Sequence, residues 1–212
     1  MKPLLLLSLL PFFLSACLFP TKPGPGLEHF DSQAPKVGDS APDFVLQNLE
    51  GETVSLASLI GEKPIVLQLG SHTCPIYRYR RFGMRQLHEK YKDDAHFILV
   101  YTLEAHPVGS VSPYSDKEWV SLWNRIPGVL IPQHESYEER ASQANNSKQS
   151  LEKYYQYQYL VDTIDNQVWT DYGSAASPAY VIDLSGKVAL RQAWVNPQEI
   201  DHTLQSINQK NQ

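Results

Sequence analysis

The chain of 212 residues carries 18 Lys and Arg against 23 Asp and Glu, a formal net charge of −5. This acidic balance argues against nucleic acid as a partner and supplies no general attraction to an anionic bilayer. Its length suits one domain with a real core, preceded by a short N-terminal segment.

The N-terminus has the pattern of an export signal followed by a modified cysteine. Lys2 precedes an apolar run, Leu4–Leu14, that is too short to span a bilayer. Leu14-Ser15-Ala16-Cys17 resembles the cleavage box of bacterial lipoproteins, in which the cysteine becomes the lipidated first residue. We therefore expect a signal peptide at residues 1–16 and lipidation of Cys17, with an ordinary secretory signal as the alternative.

Lipidation of Cys17 would anchor the protein in a membrane of the bacterial cell envelope. Leu18 stands where an aspartate would favour the inner membrane, so we expect the outer membrane. Residues 17–36 are rich in Pro and Gly and predict a tether, which leaves residues 37–212 as the domain. Cys74 is then the only free thiol, and no disulfide can form within the chain.

Strand and helix patterns alternate through the domain. A hairpin turns at Glu50–Glu52, and apolar runs at Pro64–Leu69 and His96–Tyr101 predict buried strands on either side of a helix that begins at Pro75 and ends near Tyr91. This order predicts an α/β fold with a central mixed sheet flanked by helices. The remaining predicted elements are a short helix at 117–124, a long polar helix at 137–157, strands at 159–162, 179–183 and 187–194, and a helix at 197–207.

Cys74 lies where a thiol is expected to be activated. It closes the loop Gly70–Thr73, between the end of a buried strand and the start of a helix. Free backbone N–H groups and the dipole at a helix N-terminus favour thiolate, and so do the three nearby arginines at 78, 80 and 81. We therefore predict a reactive Cys74 with a pKa below that of free cysteine; a buried, inert cysteine is the alternative.

A second group of polar residues follows the next strand. Glu104 and His106 would lie near the Cys74 loop, where Ser71 and Thr73 can donate hydrogen bonds. His106 could transfer protons while Glu104 fixes its tautomer; a solvated loop with ordinary charges is the alternative. The histidines are scattered without the spacing of metal ligands, so we expect no metal site.

Separated segments of the chain resemble the iodothyronine deiodinase family of the thioredoxin-like superfamily. Leu67–Pro75 resembles its catalytic loop, with Cys74 where members usually carry selenocysteine. Leu99–His106 resembles the segment that holds its catalytic tyrosine, glutamate and histidine, and Ile131–Arg140 resembles a segment with a substrate-binding histidine. The likeness continues at 161–166 and 180–182 and extends over about residues 42–205.

The resemblance implies a thioredoxin-like fold and a thiol-dependent oxidoreductase without a cofactor. It implies that His134 binds substrate and that Pro178 is a cis proline facing the thiol. The substrate would be a small electrophile, and an external thiol would reduce the cysteine because the chain has no second one. With the two hydroxyl donors of the loop, the expected catalytic residues are Ser71, Thr73, Cys74, Tyr101, Glu104 and His106.

Three departures from the family concern the substrate pocket. Sulfur replaces selenium at Cys74, which lowers nucleophilicity. Ser177-Pro178-Ala179 stands where the family has an arginine that grips the hormone, and Arg191 is a candidate substitute. Val108–Asp116 is an extra stretch. These changes leave the redox centre intact and put a thyroid-hormone pocket in doubt.

Three functions remain open. The first is a thiol oxidoreductase of deiodinase type, with reductive dehalogenation as its candidate reaction. The second is a one-cysteine peroxidase: Ser71 and Ala41–Phe44 match peroxiredoxins, although Leu67 replaces their loop proline. The third is a non-enzymatic envelope module that binds a partner through the polar helix and the tyrosines at 154–159. A thiol pKa at or above about 8.5 would favour the module.

Overall fold

The computed structural model of the chain describes residues 25–151 and 157–210. The predicted signal peptide at residues 1–16, the predicted lipidation site Cys17 and the tether up to residue 24 lie outside these ranges. Within them, no helix is both long enough and apolar enough to cross a membrane.

Seven strands of the described residues form one sheet: β1 (Val45–Asn48), β2 (Thr53–Ser55), β3 (Ile65–Gly70), β4 (His96–Tyr101), β5 (Gln158–Val161), β6 (Ala179–Ile182) and β7 (Val188–Gln192). Their order across the sheet is β2-β1-β5-β4-β3-β6-β7. The central strands β5, β4 and β3 are parallel, and the outer pairings are antiparallel. The predicted mixed sheet and α/β class are confirmed.

The described helices are α1 (Pro25–Gln33), α2 (Pro75–Tyr91), α3 (Leu122–Arg125), α4 (Tyr137–Leu151), α5 (Gln167–Asp171) and α6 (Pro197–Lys210). Helix α2 begins at Pro75 as predicted, because proline at the first position lacks an N–H that would be unpaired there. The predicted end of the polar helix, at 152–156, lies outside the described residues.

Both faces of the sheet are covered, because alternate residues of a strand point to opposite sides. Val66 of β3 packs in a cluster with α2 and α6, which also buries Tyr157 and Tyr159. Ile65, Leu67 and Leu69 pack on the opposite face, in a cluster with α1 and α5. All six residues of β3 are buried, as its unbroken apolar sequence predicted.

Helix α1 corrects the predicted tether at 17–36. Phe30 and Ala34 are buried in the cluster on the α1 side of the sheet. The Arg191 guanidinium lies over the Phe30 ring at 4.5 Å and donates to the Phe30 carbonyl at 2.8 Å. Helix α1 therefore belongs to the packed domain, because the Phe30 side chain of this Pro- and Gly-rich stretch is buried in the core.

Two local predictions are also corrected. The short helix expected at 117–124 is only Leu122–Arg125, because the Ser112 N–H pairs with the Lys117 carbonyl in a turn. The Ser177–Pro178 bond, expected to be cis, is trans. In this extended path the Pro178 carbonyl accepts from Leu69 and the Ser177 carbonyl accepts from Val195, so the segment is paired on both sides.

Candidate active site

Cys74 precedes helix α2 at the edge of the sheet where β3 ends. Strands β3 and β4 are parallel with Gly70 opposite Tyr101, so the segments that follow them meet at this edge. The Cys74 backbone is extended, with φ −75° and ψ 113°, and its N–H donates to the Ser71 carbonyl at 3.1 Å. The expected approach of the Cys74 loop to the residues after β4 is confirmed.

Burial controls the ionisation of the Cys74 thiol, which is 1% exposed. Loss of water, and to a smaller extent the Glu104 carboxylate, raise its pKa to a net value of about 11. The backbone N–H groups of Tyr77 and Ile76 face the sulfur, although they form no full capping hydrogen bond; they and Arg78 lower the pKa by less. The predicted pKa below that of free cysteine is therefore wrong, because desolvation outweighs the helix terminus and the arginine.

Glu104 joins the two segments from a fully buried position. Its Oε2 accepts from the Thr73 N–H at 2.8 Å and from the Thr73 hydroxyl at 2.6 Å. The hydroxyls of Tyr101 and Ser71 also donate to this carboxyl. Burial raises the pKa of Glu104, and these donors oppose that rise.

Tyr101 and Ser71 connect the loop to the strand ends. The Tyr101 hydroxyl accepts from the His72 N–H at 3.0 Å while it donates to Glu104. The Ser71 hydroxyl accepts from the Ala105 N–H at 3.1 Å. Four of the residues named from the sequence, Ser71, Thr73, Tyr101 and Glu104, thus form one buried network beside Cys74.

His106 lies beside this network but is not oriented by Glu104. Its backbone N–H donates to the Thr73 hydroxyl at 3.0 Å. Its Nδ1 is 3.1 Å from the Trp119 carbonyl, an acceptor that requires the proton on Nδ1 and leaves Nε2 free to accept one. The Trp119 ring packs edge-on against the imidazole at 4.4 Å. Burial lowers the pKa of His106, so the ring is neutral at physiological pH.

His134 lies on the other side of Glu104. Its Nε2 is 3.6 Å from Glu104 Oε1, too far for a good hydrogen bond, and its ring is tilted against Tyr101 at 6.1 Å. Burial, aided by the charge of Arg140, lowers the pKa of His134 to about 4, so this contact joins a neutral imidazole to a carboxyl. The side chain also lines an open pocket between residues 131–135 and helix α4.

Arg78 holds a backbone segment beside the loop. Its Nη1 donates to the His72 carbonyl at 2.6 Å, and its Nη2 donates to the Trp123 carbonyl and Asn124 Oδ1, both at 2.8 Å. Asn124, fully buried, returns a hydrogen bond from Nδ2 to the Thr73 carbonyl at 2.8 Å. The arginine predicted to activate the sulfur thus also fixes the conformation of the loop.

Sequence reasoning missed Asn124 and Gln133. The Gln133 side chain pairs with both backbone groups of Glu104, accepting from its N–H at 2.8 Å and donating to its carbonyl at 3.1 Å. Asn124 lies in the four-residue helix α3 and Gln133 in the irregular segment that follows, where the sequence does not show whether a polar side chain is buried or exposed. No signal in the sequence distinguished them.

The expected substrate-binding Pro178 and the candidate substitute Arg191 lie apart. Pro178 is buried, and its carbonyl binds Leu69 in the strand that leads to Cys74. Arg191 is held against Phe30 of α1, in the cluster on the face of the sheet opposite the one that packs Cys74. Across residues 25–151 and 157–210, no group of His, Cys, Asp and Glu side chains is arranged to hold a metal.

Several solved structures share this fold. The exposed lipoprotein thioredoxin of Streptococcus pneumoniae superimposes with a TM-score of 0.52 and 18% identity, over 78% of this chain and 99% of that chain. A thiol:disulfide interchange protein from Bacteroides sp. gives a TM-score of 0.55 and 13% identity, over 82% and 91% of the two chains. The expected thioredoxin-like fold is therefore confirmed.

Sequence relatives include thyroxine 5-deiodinases. The enzyme of Sus scrofa is 33% identical over 126 residues, which are 58% of this chain and 35% of that enzyme. The enzyme of Gallus gallus is 32% identical over 161 residues, 75% of this chain and 56% of that enzyme. This chain thus spans between about a third and just over half of these relatives. The family model for iodothyronine deiodinase matches residues 27–204, and the chain belongs to that family.

Proposed function

We propose that the protein is a thiol-dependent oxidoreductase in which Cys74 removes a halogen from a small organic electrophile. The observation that carries the proposal is the buried network of Glu104 and Thr73, which joins the loop of the only cysteine beyond residue 17 to His106. Membership of the deiodinase family supports the reaction type.

The neutral His106 supplies the proton transfer. A thiol with a pKa near 11 is protonated at physiological pH, so it needs a base before it can attack. The Trp119 carbonyl holds the His106 proton on Nδ1 and leaves Nε2 as that base. Proton transfer from Cys74 to Nε2 gives a thiolate and an imidazolium without a proton from solvent.

Cys74 and His106 together account for the electrons and the proton of the dehalogenation. The thiolate forms a bond to the halogen as the carbon–halogen bond breaks, and the carbon keeps the bonding electron pair. The imidazolium of His106 gives its proton to that carbon, so the substrate is reduced and sulfur is oxidised to a sulfenyl halide. One external thiol then attacks the Cys74 sulfur, displaces the halide and forms a mixed disulfide with Cys74. A second external thiol attacks the sulfur of the first, which releases Cys74 as a thiol and forms a disulfide between the two external thiols.

The binding module is the second candidate, because one observation favours it. A Cys74 pKa raised to about 11 is the property expected of an inert thiol rather than an activated one. The peroxidase has no comparable support: the arginine it needs to polarise a peroxide would be Arg78, which is engaged by two carbonyls and Asn124.

Iodide release tests the proposal. Purified protein is incubated with a small iodophenol, or with hydrogen peroxide, in the presence of dithiothreitol. Iodide release that is lost in Cys74→Ala and falls about a hundredfold in His106→Asn is the expected result. Consumption of peroxide without iodide release would point to the peroxidase. If neither reagent modifies Cys74 when dithiothreitol is left out, as measured by mass spectrometry, the binding module would be favoured.

A further inference from the structure

We propose that the exposed side chains of residues 79–85 and 119–130 form a docking face for an acidic thiol protein that reduces Cys74. The inference rests on the proposed function, because that function needs a thiol to reduce Cys74 after each turnover. We call this surface the arginine–aromatic face. It adjoins the loop of the only cysteine beyond residue 17, and that cysteine has no partner within the domain to reduce it.

The apolar side chains of this face are unusually exposed. Ile126 is 82% exposed, Leu122 is 68% exposed, and Trp123 between them is 60% exposed. On α2, Tyr79 and Phe82 are exposed as well. Scattered exposed apolar residues are ordinary, but a concentration of large ones in two adjoining segments marks an interaction surface.

Direct contacts join the two segments. Arg78 of α2 donates to the carbonyl of Trp123 and to Asn124, so α3 lies against the first turn of α2. Phe82 follows Arg78 by one turn on the same face of the helix, and the Arg85 guanidinium lies over its ring at 5.1 Å. The face therefore extends from the Cys74 loop along α2.

The charge of this face is opposite to that of the whole chain. Residues 75–88 contain four arginines and no Asp or Glu, and Arg125 is the only charged residue between 119 and 133, in a chain of net charge −5. Neither segment contains lysine. Protein–protein hot spots are enriched in Tyr, Trp and Arg, and interfaces are depleted in Lys. Arginine also forms bidentate hydrogen bonds with carboxylates. The complementary partner is a protein whose apolar contact is rimmed by acidic residues.

A partner on this face would be next to the nucleophile. Asn124 donates to the Thr73 carbonyl and Arg78 donates to the His72 carbonyl, so α3 is attached to the two residues before Cys74. The partner's first thiol displaces halide from the oxidised sulfur and forms a mixed disulfide with Cys74. Its second thiol attacks its own sulfur in that bond, which releases Cys74 as a thiol and leaves the disulfide on the partner.

The test measures reduction of Cys74 independently of dehalogenation. In full-length protein with Cys17→Ser, Cys74 is the only cysteine. Reaction with the disulfide reagent dithiobis(nitrobenzoate) converts Cys74 to its mixed disulfide with thionitrobenzoate and releases the other half of the reagent as a thiolate. Release of the bound thionitrobenzoate is then followed with a purified thioredoxin of acidic isoelectric point or with dithiothreitol. The docking variant is Leu122→Glu/Ile126→Glu. The control is Val45→Glu/Ile164→Glu, two exposed apolar residues outside the face.

We expect the docking variant to react about tenfold more slowly with thioredoxin than the parent protein, with an unchanged rate for dithiothreitol and no effect in the control. Added salt should slow only the thioredoxin reaction, because it screens the arginines. Equal thioredoxin rates in parent and docking variant, or equal losses with both reductants, would overturn the docking face.

Two other occupants are distinguished by the same proteins. A parent dimer that Leu122→Glu/Ile126→Glu converts to monomer would assign the face to a second copy and overturn the proposal. Binding to vesicles of anionic phospholipid that is lost in this variant, with thioredoxin rates unchanged, would assign it to a membrane and overturn the proposal. A Cys74 that accepts no label even at alkaline pH would overturn the proposed function, and this inference with it.

Discussion

Thr73 donates two hydrogen bonds to one oxygen of Glu104, from its backbone N–H at 2.8 Å and from its hydroxyl at 2.6 Å. The same hydroxyl accepts from the His106 N–H at 3.0 Å. Thr73, the residue directly before the cysteine, therefore connects the Cys74 loop to both polar residues that follow β4. All of these atoms are buried, so each lost partner is left unpaired away from water.

Replacement of Thr73 by valine should show the strength of this connection. Thr73→Val keeps the shape of the side chain but leaves the His106 N–H without an acceptor and Glu104 with one donor fewer. We expect a loss of roughly 1–3 kcal/mol in the free energy of unfolding, measured by urea denaturation. Thr73→Ser retains the hydroxyl and is the control; a loss as large in Thr73→Ser would attribute the effect to the methyl group.

The sign of the pH dependence follows from Glu104. Its pKa is raised in the folded protein, so the stability that it contributes is complete below its unfolded pKa of about 4.3 and is lost as pH rises through the folded pKa. The Thr73 hydroxyl lowers that folded pKa, and its removal raises it further. The stability difference between Thr73→Val and the parent should therefore grow as pH rises above the unfolded pKa of about 4.3 and through the folded pKa.

His134 gives a second pH dependence of opposite sign. Its pKa is lowered to about 4 in the folded protein, so its contribution is present above the unfolded value of about 6.5 and is lost as pH falls toward the folded pKa. Between about pH 7.5 and pH 5 this amounts to on the order of 2 kcal/mol. His134→Gln should reduce the fall in melting temperature over this interval, whereas the exposed His202→Gln should not; equal curves would mean that His134 titrates normally.

The sequence predicted the parts of the site that depend on chain order. The apolar run of β3, Pro75 after Cys74 and the polar residues after β4 sufficed to place the loop and Glu104 together, because parallel neighbouring strands end at one edge of a sheet. The resemblance to the family added His134 and Tyr101 to the same place. These elements need no knowledge of side-chain direction.

The parts that failed depend on where side chains point and how deeply they lie. Arg78 is close to Cys74 in sequence, but its guanidinium donates to the carbonyl of His72 in the loop and to that of Trp123 in α3. His106 finds its acceptor at Trp119, in a stretch without regular structure. The burial of Cys74 results from packing across the whole face of the sheet. Helix position and neighbouring charge could be read from the sequence, and desolvation could not.

Alkylation of Cys74 should report this desolvation. The rate with iodoacetamide should rise with pH to a midpoint well above the free-cysteine value of about 8.5, because burial raises the pKa of the thiol to about 11. Arg78→Ala removes a charge that lowers this pKa and should move the midpoint upward, whereas Arg85→Ala should not. A midpoint below that of free cysteine would show that the sulfur is open to water in solution.

Membrane attachment is tested at Cys17. The lipoprotein box at residues 14–17 leads us to propose lipidation of Cys17 and an envelope location for the protein. In bacteria that express the full chain, Cys17→Ser should appear in the soluble fraction with altered processing, while the parent sediments with membranes. A Cys17→Ser protein that stays with membranes in high salt would contradict the assignment.

Turnover of thyroxine should be poor even if Cys74 removes halogen from smaller substrates. Binding energy from remote parts of a long substrate contributes to rate. The resemblance to the family leads us to expect an arginine that binds the hormone, and Ser177-Pro178-Ala179 stands at that place instead. Loss of one charge-assisted hydrogen bond costs roughly 1.5–3 kcal/mol, or about one to two decades in rate. Arg191 does not replace it, because its guanidinium is bound to Phe30 of α1.

The comparison is iodide release from thyroxine and from a small iodophenol, with dithiothreitol as reductant and Cys74→Ala as the blank. The ratio of the two kcat/KM values should favour the iodophenol, because a small ring needs few remote contacts and is little affected by the missing arginine. Efficient, Cys74-dependent release of iodide from thyroxine by the unaltered protein would show that another group binds the far end of the hormone, and Arg191→Ala would then decide whether that group is Arg191.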